Sequence, residues 1–252
     1  MSGGEIKPQV YVDARPAEDL APYHGWARTH EPGWTYTAVR IFFTPIALAL
    51  YRTRAVGRSH VPEWGPVILA PNHFSNMDHF FCGVYLRRQI RFMSKSQFFG
   101  RSPLVSYVFR VSGHFPVRRG HQDDEAFVTA HSILDRGGCV GIYAEGGRSR
   151  SGGLGEPRPG IGRLALESGA PVVPVAIYGS LGVRQWRRLR FPRVAVSFGE
   201  PLRLPRVTAP NRDQQVEAAR LIFERVRTLY AELEEAQVRR ASRGSSRAMT
   251  SK

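Results

Sequence analysis

The stretch Val67-Ile68-Leu69-Ala70-Pro71-Asn72-His73-Phe74-Ser75-Asn76-Met77-Asp78 decides how this chain is read. An apolar run closed by Pro and Asn is a buried strand that ends where the chain must turn. Asp78 then precedes Phe80-Phe81-Cys82-Gly83-Val84-Tyr85-Leu86. That places it at a helix start, where exposed N–H groups and the dipole favour a carboxylate. His73 therefore lies at the mouth of a sheet, and open α/β sheets bind ligands outside the carboxyl ends of their strands. An imidazole accepts a proton near neutral pH only if one ring nitrogen is free while the other is held as a donor, and a nearby carboxylate enforces that tautomer. Asp78 is the candidate carboxylate. The pair alone is weak, because a helix-capping Asp and an ordinary loop His explain it equally well.

Working outward, the periodicity predicts a helix over 78–88, a strand over Ile90–Met93 and an apolar helix over Pro103–Val111, with Pro at its first position. Residues 112–119 read as a strand or turn. A helix over 124–136 follows, with acids in its first turn and Gly137 beyond its end. Cys139–Ala144, Pro171–Ile177 and Arg193–Phe198 are further strands, with a short helix near 161–168 between the first two. Val216, Ala219, Phe223, Val226, Tyr230 and Leu233 give one apolar face to a late charged helix. Strands alternating with helices predict an α/β fold: a single domain with a mixed, mostly parallel sheet covered by helices. The organisation expected is a polar, loosely ordered leader over 1–33, an interfacial helix over 34–54, the main domain over 55–238 and a disordered basic tail over 239–252.

The net charge is +15, and Lys7, Lys95 and Lys252 are the only lysines among 36 Lys and Arg residues, so arginine carries it. Arginine suits planar, paired recognition of phosphate. Basicity by itself fits nucleic acid, an anionic membrane surface or a phosphorylated substrate. Two cysteines are too few for a disulfide framework or a zinc cluster, and a reducing setting is the default. No signal peptide is read at the start of the chain. The most apolar segment, Ala38 to Tyr51, contains Arg40 and Pro45 and is shorter than the roughly 20 residues of a spanning helix. Flanked by Trp34, Tyr36, Arg52 and Arg54, it reads as an amphipathic helix in a membrane interface, with packing on the protein core as the alternative.

Further blocks change the weight of the His-Asp pair. Gly113, Phe115, Arg118 and Arg119 surround one short hydrophobic strand, Glu145-Gly146-Gly147-Arg148-Ser149 follows another, and Val173-Pro174-Val175 ends a third. Together with Asn72-His73 and Asp78, in this order and at these separations, they resemble the four sequence blocks of the glycerolipid acyltransferases, the lysophosphatidic acid and glycerol-3-phosphate acyltransferase superfamily. The likeness covers about residues 55–205. Two positions depart from the usual third block: Ala144 stands in place of Pro and Gly147 in place of Thr, which leaves the acceptor less defined than the chemistry.

The resemblance implies that His73 is a general base on the acceptor hydroxyl, with Asp78 its orienting partner, and that no acyl-enzyme forms. It implies substrate-binding roles for Asn72, Gly113, Phe115, Arg119, Glu145, Gly146, Arg148 and Ser149, with Arg119 on the acceptor phosphate. The residues agree, since guanidinium groups bind a phosphate monoester through charge-assisted pairs and small residues near Glu145 let backbone N–H groups approach an anion. The expected donor is acyl-CoA or acyl-carrier protein, with no metal or other cofactor. The expected product is phosphatidic acid, made from 1-acylglycerol-3-phosphate at the cytoplasmic face of the cell membrane. The short chain favours that acceptor over glycerol-3-phosphate or another lysolipid.

Candidates for the oxyanion donors are the backbone N–H groups of Phe74–Asn76 and Arg119. Phe80, Phe81, Tyr85, Phe98 and Phe99 are candidates to line an acyl groove. Arg184–Arg193, which interleaves Trp186 and Phe191 with arginine, is a candidate contact with anionic lipid, favoured over nucleic acid. Two other classes compete: a metal-dependent hydrolase built on His73, Asp78 and His79, and a noncatalytic basic module that binds nucleic acid or membrane.

Overall fold

The computed structural model describes residues 12–120, 123–149, 152–183 and 191–250. Seven strands form one sheet: β1 (Arg54–Val56), β2 (Val67–Pro71), β3 (Ile90–Lys95), β4 (Phe115–Val117), β5 (Cys139–Gly141), β6 (Val172–Tyr178) and β7 (Ala195–Phe198). Their order is β1-β7-β6-β2-β5-β3-β4, and every pair is parallel except β6 with β7. The expected α/β fold with a mostly parallel sheet is therefore the observed one.

The helices are α1 (Ala21–Thr29), α2 (Trp34–Ala49), α3 (Asp78–Gly83), α4 (Pro103–Val111), α5 (Asp124–Asp135), α6 (Pro159–Ser168) and α7 (Arg212–Thr250). Parallel strands joined by crossover helices are buried on both faces, which is why β2 is apolar at every position rather than alternating. Its side chains still divide by parity. Ile68 and Ala70 pack with Ile133 of α5, Leu164 of α6 and Phe223 of α7, whereas Val67 and Leu69 pack with Phe43 of α2 and Phe81 of α3. Central β2 thus ends between two helical layers, and the turn after it opens at the carboxyl edge of the sheet.

Three expectations change. Within the leader, a 3₁₀ turn over Ala17–Leu20 leads into α1, which docks on the sheet. Buried polar groups make the dock. Arg91 of β3, almost wholly buried, donates to the carbonyls of Ala27 at 2.7 Å and His30 at 2.8 Å, neutralising the carboxyl end of α1. Burial pushes its guanidinium down to about 10. His24 meets Thr129 of α5 at 2.8 Å.

The helix predicted over 78–88 stops at Gly83. A Cβ there would lie 3.3 Å from the Tyr36 hydroxyl, so glycine lets α2 approach, and Arg88 turns away to the carbonyls of Pro62, Gly65 and Gly137. At the other end, α7 continues to Thr250, through the stretch expected to be a disordered tail. An ion pair one turn apart, Arg239 with Glu235 at 3.4 Å, lies where that stretch begins.

Helix α2 packs on the protein along one face and is exposed along the other. One face is tied down: the Tyr36 hydroxyl accepts from Ile90 N at 3.2 Å, Arg40 donates to Leu86 O at 2.6 Å, and Phe43 meets Phe80 with ring centres 4.8 Å apart. The opposite face leaves Trp34 80% and Phe42 73% exposed. Among the described residues no helix is long and apolar enough to cross a membrane. Residues 184–190 of the Arg- and Trp-containing segment lie outside the described residues.

Replacing Arg91 by Ala strands two helix-end carbonyls. The expected loss is about 2–3 kcal/mol, read as a lower denaturation midpoint. An unchanged midpoint shows that α1 is held by other contacts.

Candidate active site

Strand β2 stops at Pro71 while its neighbour β6 runs on to Tyr178, and Asn72 bridges the difference. Its amide donates to Ile177 O at 3.1 Å and its oxygen accepts from Ile177 N at 2.7 Å, extending the ladder by a side chain. The chain then turns, and one oxygen of buried Asp78 gathers the turn. Oδ2 accepts from His73 Nδ1 at 2.9 Å and from the backbone N–H groups of Phe74 and Ser75, each at 2.8 Å. Because Nδ1 donates, Nε2 is the proton-accepting nitrogen, and no hydrogen bond among the described residues occupies it.

The Tyr143 ring stacks on the imidazole, with centres 3.7 Å apart and planes 16° from parallel. The His73 backbone is fixed too: its N–H donates to Glu145 Oε1 at 2.8 Å and its carbonyl accepts from Ser149 N at 2.9 Å. Burial pushes the imidazole pKa below its usual value. Asp78 opposes that shift, while Arg119 and Arg148 add to it. The ring is accordingly neutral at pH 7 and able to take a proton from a hydroxyl.

His73 opens into a cavity of about 930 Å³. Its lining combines the cationic side chains Arg119, Arg148, Arg158 and Lys95 with the rings of Phe43, Phe80, Phe92, Phe98 and Phe109. Arg119 and Arg148 have no carboxylate or carbonyl partner among the described residues. Burial, and after it the neighbouring Arg148, push the Arg119 pKa down. Two guanidinium groups held together this way favour an anion between them. The departure at Gly147 leaves more space beside Arg119, because a Cβ there would lie 3.6 Å from Arg119 Nη1.

The expected site residues therefore separate. His73, Arg119, Glu145, Arg148 and Ser149 line the cavity. Glu145 does so with both oxygens engaged by the main chain, Oε1 by His73 N and Oε2 by Gly155 N at 2.7 Å, so it holds two loops together. A Cβ at Gly155 would lie 2.8 Å from that oxygen. Asn72, Gly113, Phe115 and Gly146 do not line the cavity. Gly113 makes a turn at φ +82° against Pro32, Phe115 is buried in the core, and Gly146 makes a turn at φ +63°.

Of the aromatic candidates, Phe80 and Phe98 line the cavity, whereas Phe81 and Phe99 are buried and the Tyr85 hydroxyl donates to Thr53 Oγ1 at 2.8 Å. Sequence reasoning missed Phe43, Phe92, Phe109 and Tyr143. Parity within β3 and the aromatic two residues before Glu145 were the available signals for Phe92 and Tyr143. His79, proposed as a metal ligand, lines the cavity and packs beside Phe80 and His114. Among the described residues no group of three or more His, Cys, Asp or Glu is arranged to hold a metal ion.

Residues 52–178, half of the chain, match the family described as Acyltransferase. The chain belongs to the glycerolipid acyltransferase family. This acyltransferase is 26% identical over 133 residues to the chloroplastic 1-acyl-sn-glycerol-3-phosphate acyltransferase of Brassica napus, covering 52% of the chain and 38% of that protein. It is 24% identical over 250 residues to a glycerol-3-phosphate acyltransferase of Pseudomonas fluorescens (strain Pf0-1), covering 78% of the chain and 30% of that protein. The chain thus spans well under half the length of these two relatives. The crystal structure of the 1-acyl-sn-glycerophosphate acyltransferase of Thermotoga maritima shares the fold, with a TM-score of 0.56, 17% identity, and coverage of 86% of this chain and 91% of that one.

The His73 imidazole is expected to titrate below pH 6.5, the usual value. Its midpoint should fall further in Asp78→Asn, which removes the raising partner, and rise in Arg119→Ala, which removes a lowering one. Folding stability follows the same sign: the unfolded chain takes this proton first, so stability is lost as pH falls from 6.5 toward the native midpoint. NMR titration of the ring protons checks both shifts, and a midpoint at or above 6.5 contradicts the burial argument.

Proposed function

We propose that this enzyme transfers a fatty acyl group from an acyl thioester, acyl-CoA or acyl-carrier protein, to the free hydroxyl of 1-acylglycerol-3-phosphate, giving phosphatidic acid. One observation carries the reading: His73, with Nε2 free among the described residues, and Arg119 and Arg148, whose guanidinium groups have no carboxylate or carbonyl partner among them, line one cavity together with several aromatic rings. The acceptor phosphate lies between the two arginines, and its hydroxyl points at Nε2. His73 takes the hydroxyl proton as the oxygen attacks the thioester carbonyl carbon. The C–O bond forms, the tetrahedral oxyanion collapses, and the C–S bond breaks. The thiolate leaves and receives the proton from the imidazolium, which Asp78 has stabilised meanwhile.

Of the backbone donors expected to hold the oxyanion, the N–H groups of Phe74 and Ser75 are spent on Asp78. Asn76 N–H and Arg119 are the donors this reading retains. Phe80, Phe92, Phe98 and Phe109 would receive apolar chain, which favours an acceptor and donor that both carry one. The competing reading takes glycerol-3-phosphate as acceptor. It is favoured by relatives of that name whose alignments cover 78% of the chain. The outward face of α2, with Trp34, Ile41 and Phe42, and the neighbouring Leu104 and Tyr107 of α4, are exposed apolar groups suited to an anionic membrane surface. Peripheral attachment at the cytoplasmic face accompanies the proposal.

Purified protein with labelled acyl-CoA and a panel of acceptors, resolved by lipid chromatography, distinguishes the readings. His73→Ala should lose about 10²- to 10⁴-fold in turnover with its fold intact, and near-normal turnover rejects the base. Arg119→Ala should raise KM for the phosphorylated acceptor about tenfold or more, with the donor KM little changed. In the unaltered enzyme kcat/KM should fall on the acid side with a midpoint below 6.5. An acid limb centred above that value points to another group.

A further inference from the structure

The segment before α1 joins two walls of the cavity. Arg15 is held by its own neighbour: Nε and Nη2 donate to the Asp13 carboxylate at 3.0 and 2.6 Å. Its remaining donors reach across the fold to Phe99 O at 2.5 Å and Ser96 O at 2.7 Å. Those two carbonyls bracket the 3₁₀ turn Ser96–Phe98. Lys95, just before the turn, and Phe98, within it, both line the cavity.

The same segment's carbonyls face the other wall. Arg118 Nη2 donates to Arg15 O at 2.8 Å and to Asp13 O at 3.4 Å, while the Arg118 backbone N–H donates to Asp123 Oδ2 at 2.6 Å. Arg118 directly follows β4 and its side chain is held by the leader, while Arg119, the next residue and the first of a turn, lines the cavity.

Such a tie has work to do. Arg119 and Arg148 face the same space without an anion between them among the described residues, and like charges push the two side chains apart. A turn free to twist would let Arg119 swing toward solvent. Fixing the preceding residue keeps the guanidinium where a phosphate would meet it, which reduces the ordering cost of binding.

We propose that residues 13–15 form a strap that sets Arg119 for the acceptor phosphate, with Arg15 and Arg118 as positioning residues. This rests on Arg119 as the phosphate ligand. The strap is invisible to the sequence blocks, since it lies more than 50 residues before His73.

The test uses the full chain with the variants Arg15→Ala, Arg15→Lys and Arg118→Ala, and Arg119→Ala as reference. KM for 1-acylglycerol-3-phosphate and the inhibition constant of glycerol phosphate should rise together about tenfold or more in the two Ala variants. KM for acyl-CoA should change less than about twofold, and Arg15→Lys, which offers a cation but not the two-carbonyl fork, should recover part of the loss. Should an Ala variant fail to fold, Arg15→Gln and Arg118→Gln decide by the same split. A parallel change in both substrates' KM, or a lower melting temperature with the split absent, overturns the strap as a positioning element. If Arg119→Ala shifts acceptor KM while the Arg15 and Arg118 variants do not, the strap alone is wrong. If Arg119→Ala shifts nothing, the phosphate assignment is wrong and the strap falls with it.

Discussion

A single carboxylate oxygen organises the centre of this protein. Asp78 Oδ2 lies in a buried place where an unsatisfied charge would be costly, and three donors from the preceding turn converge on it. That convergence closes the loop after β2, starts α3 with an acid at its amino end, and fixes which imidazole nitrogen carries the proton. Geometry, helix initiation and tautomer are one event. The other oxygen, Oδ1, is buried with no partner among the described residues. The carboxylate is thus committed to the turn through a single atom.

Around this anchor the charges are arranged against one another. Burial and two arginines keep His73 neutral, while Asp78 alone favours the cation that forms when it accepts a proton. An anion between Arg119 and Arg148 would weaken the opposition to that cation. Phosphate binding and base strength are coupled in sign: the occupied site holds a stronger base than the empty one. Arginine richness then has a local meaning that the net charge of +15 does not convey.

Much of the fold was legible because its signals are local. The buried strands are continuous apolar runs, helix starts carry Pro or acids, and α4 and α5 fall almost where periodicity puts them. The docked leader was not legible. Its anchors, Arg91, His24 and Arg15, are polar residues whose partners lie far along the chain, several of them main-chain carbonyls, and no residue pattern announces a carbonyl. At the site, motif position pointed both to residues that line the cavity, such as His73, Arg119 and Arg148, and to residues that do not, such as Gly113 and Phe115. Phe92 and Phe109 were overlooked because entry to the cavity depends on which side of a strand or helix a residue occupies in the packed fold.

That distinction explains how the third block can depart from the usual pattern. Glu145 binds two backbone N–H groups, and Gly146 turns at positive φ, so both act through the shape of the main chain. Ala144 keeps the strand-end connection, its N–H donating to Pro71 O at 3.3 Å, a bond that proline could not make. Gly147 adds no side chain beside Arg119. Neither departure removes a group that holds His73 or Asp78. Both alter the space and backbone around the arginines instead, so the reacting pair can stay fixed while the anion-facing wall is free to differ. In the function proposed above, acceptor preference would lie in that wall, and the proposed strap would tie it through Arg118 to a leader that the motif blocks do not include.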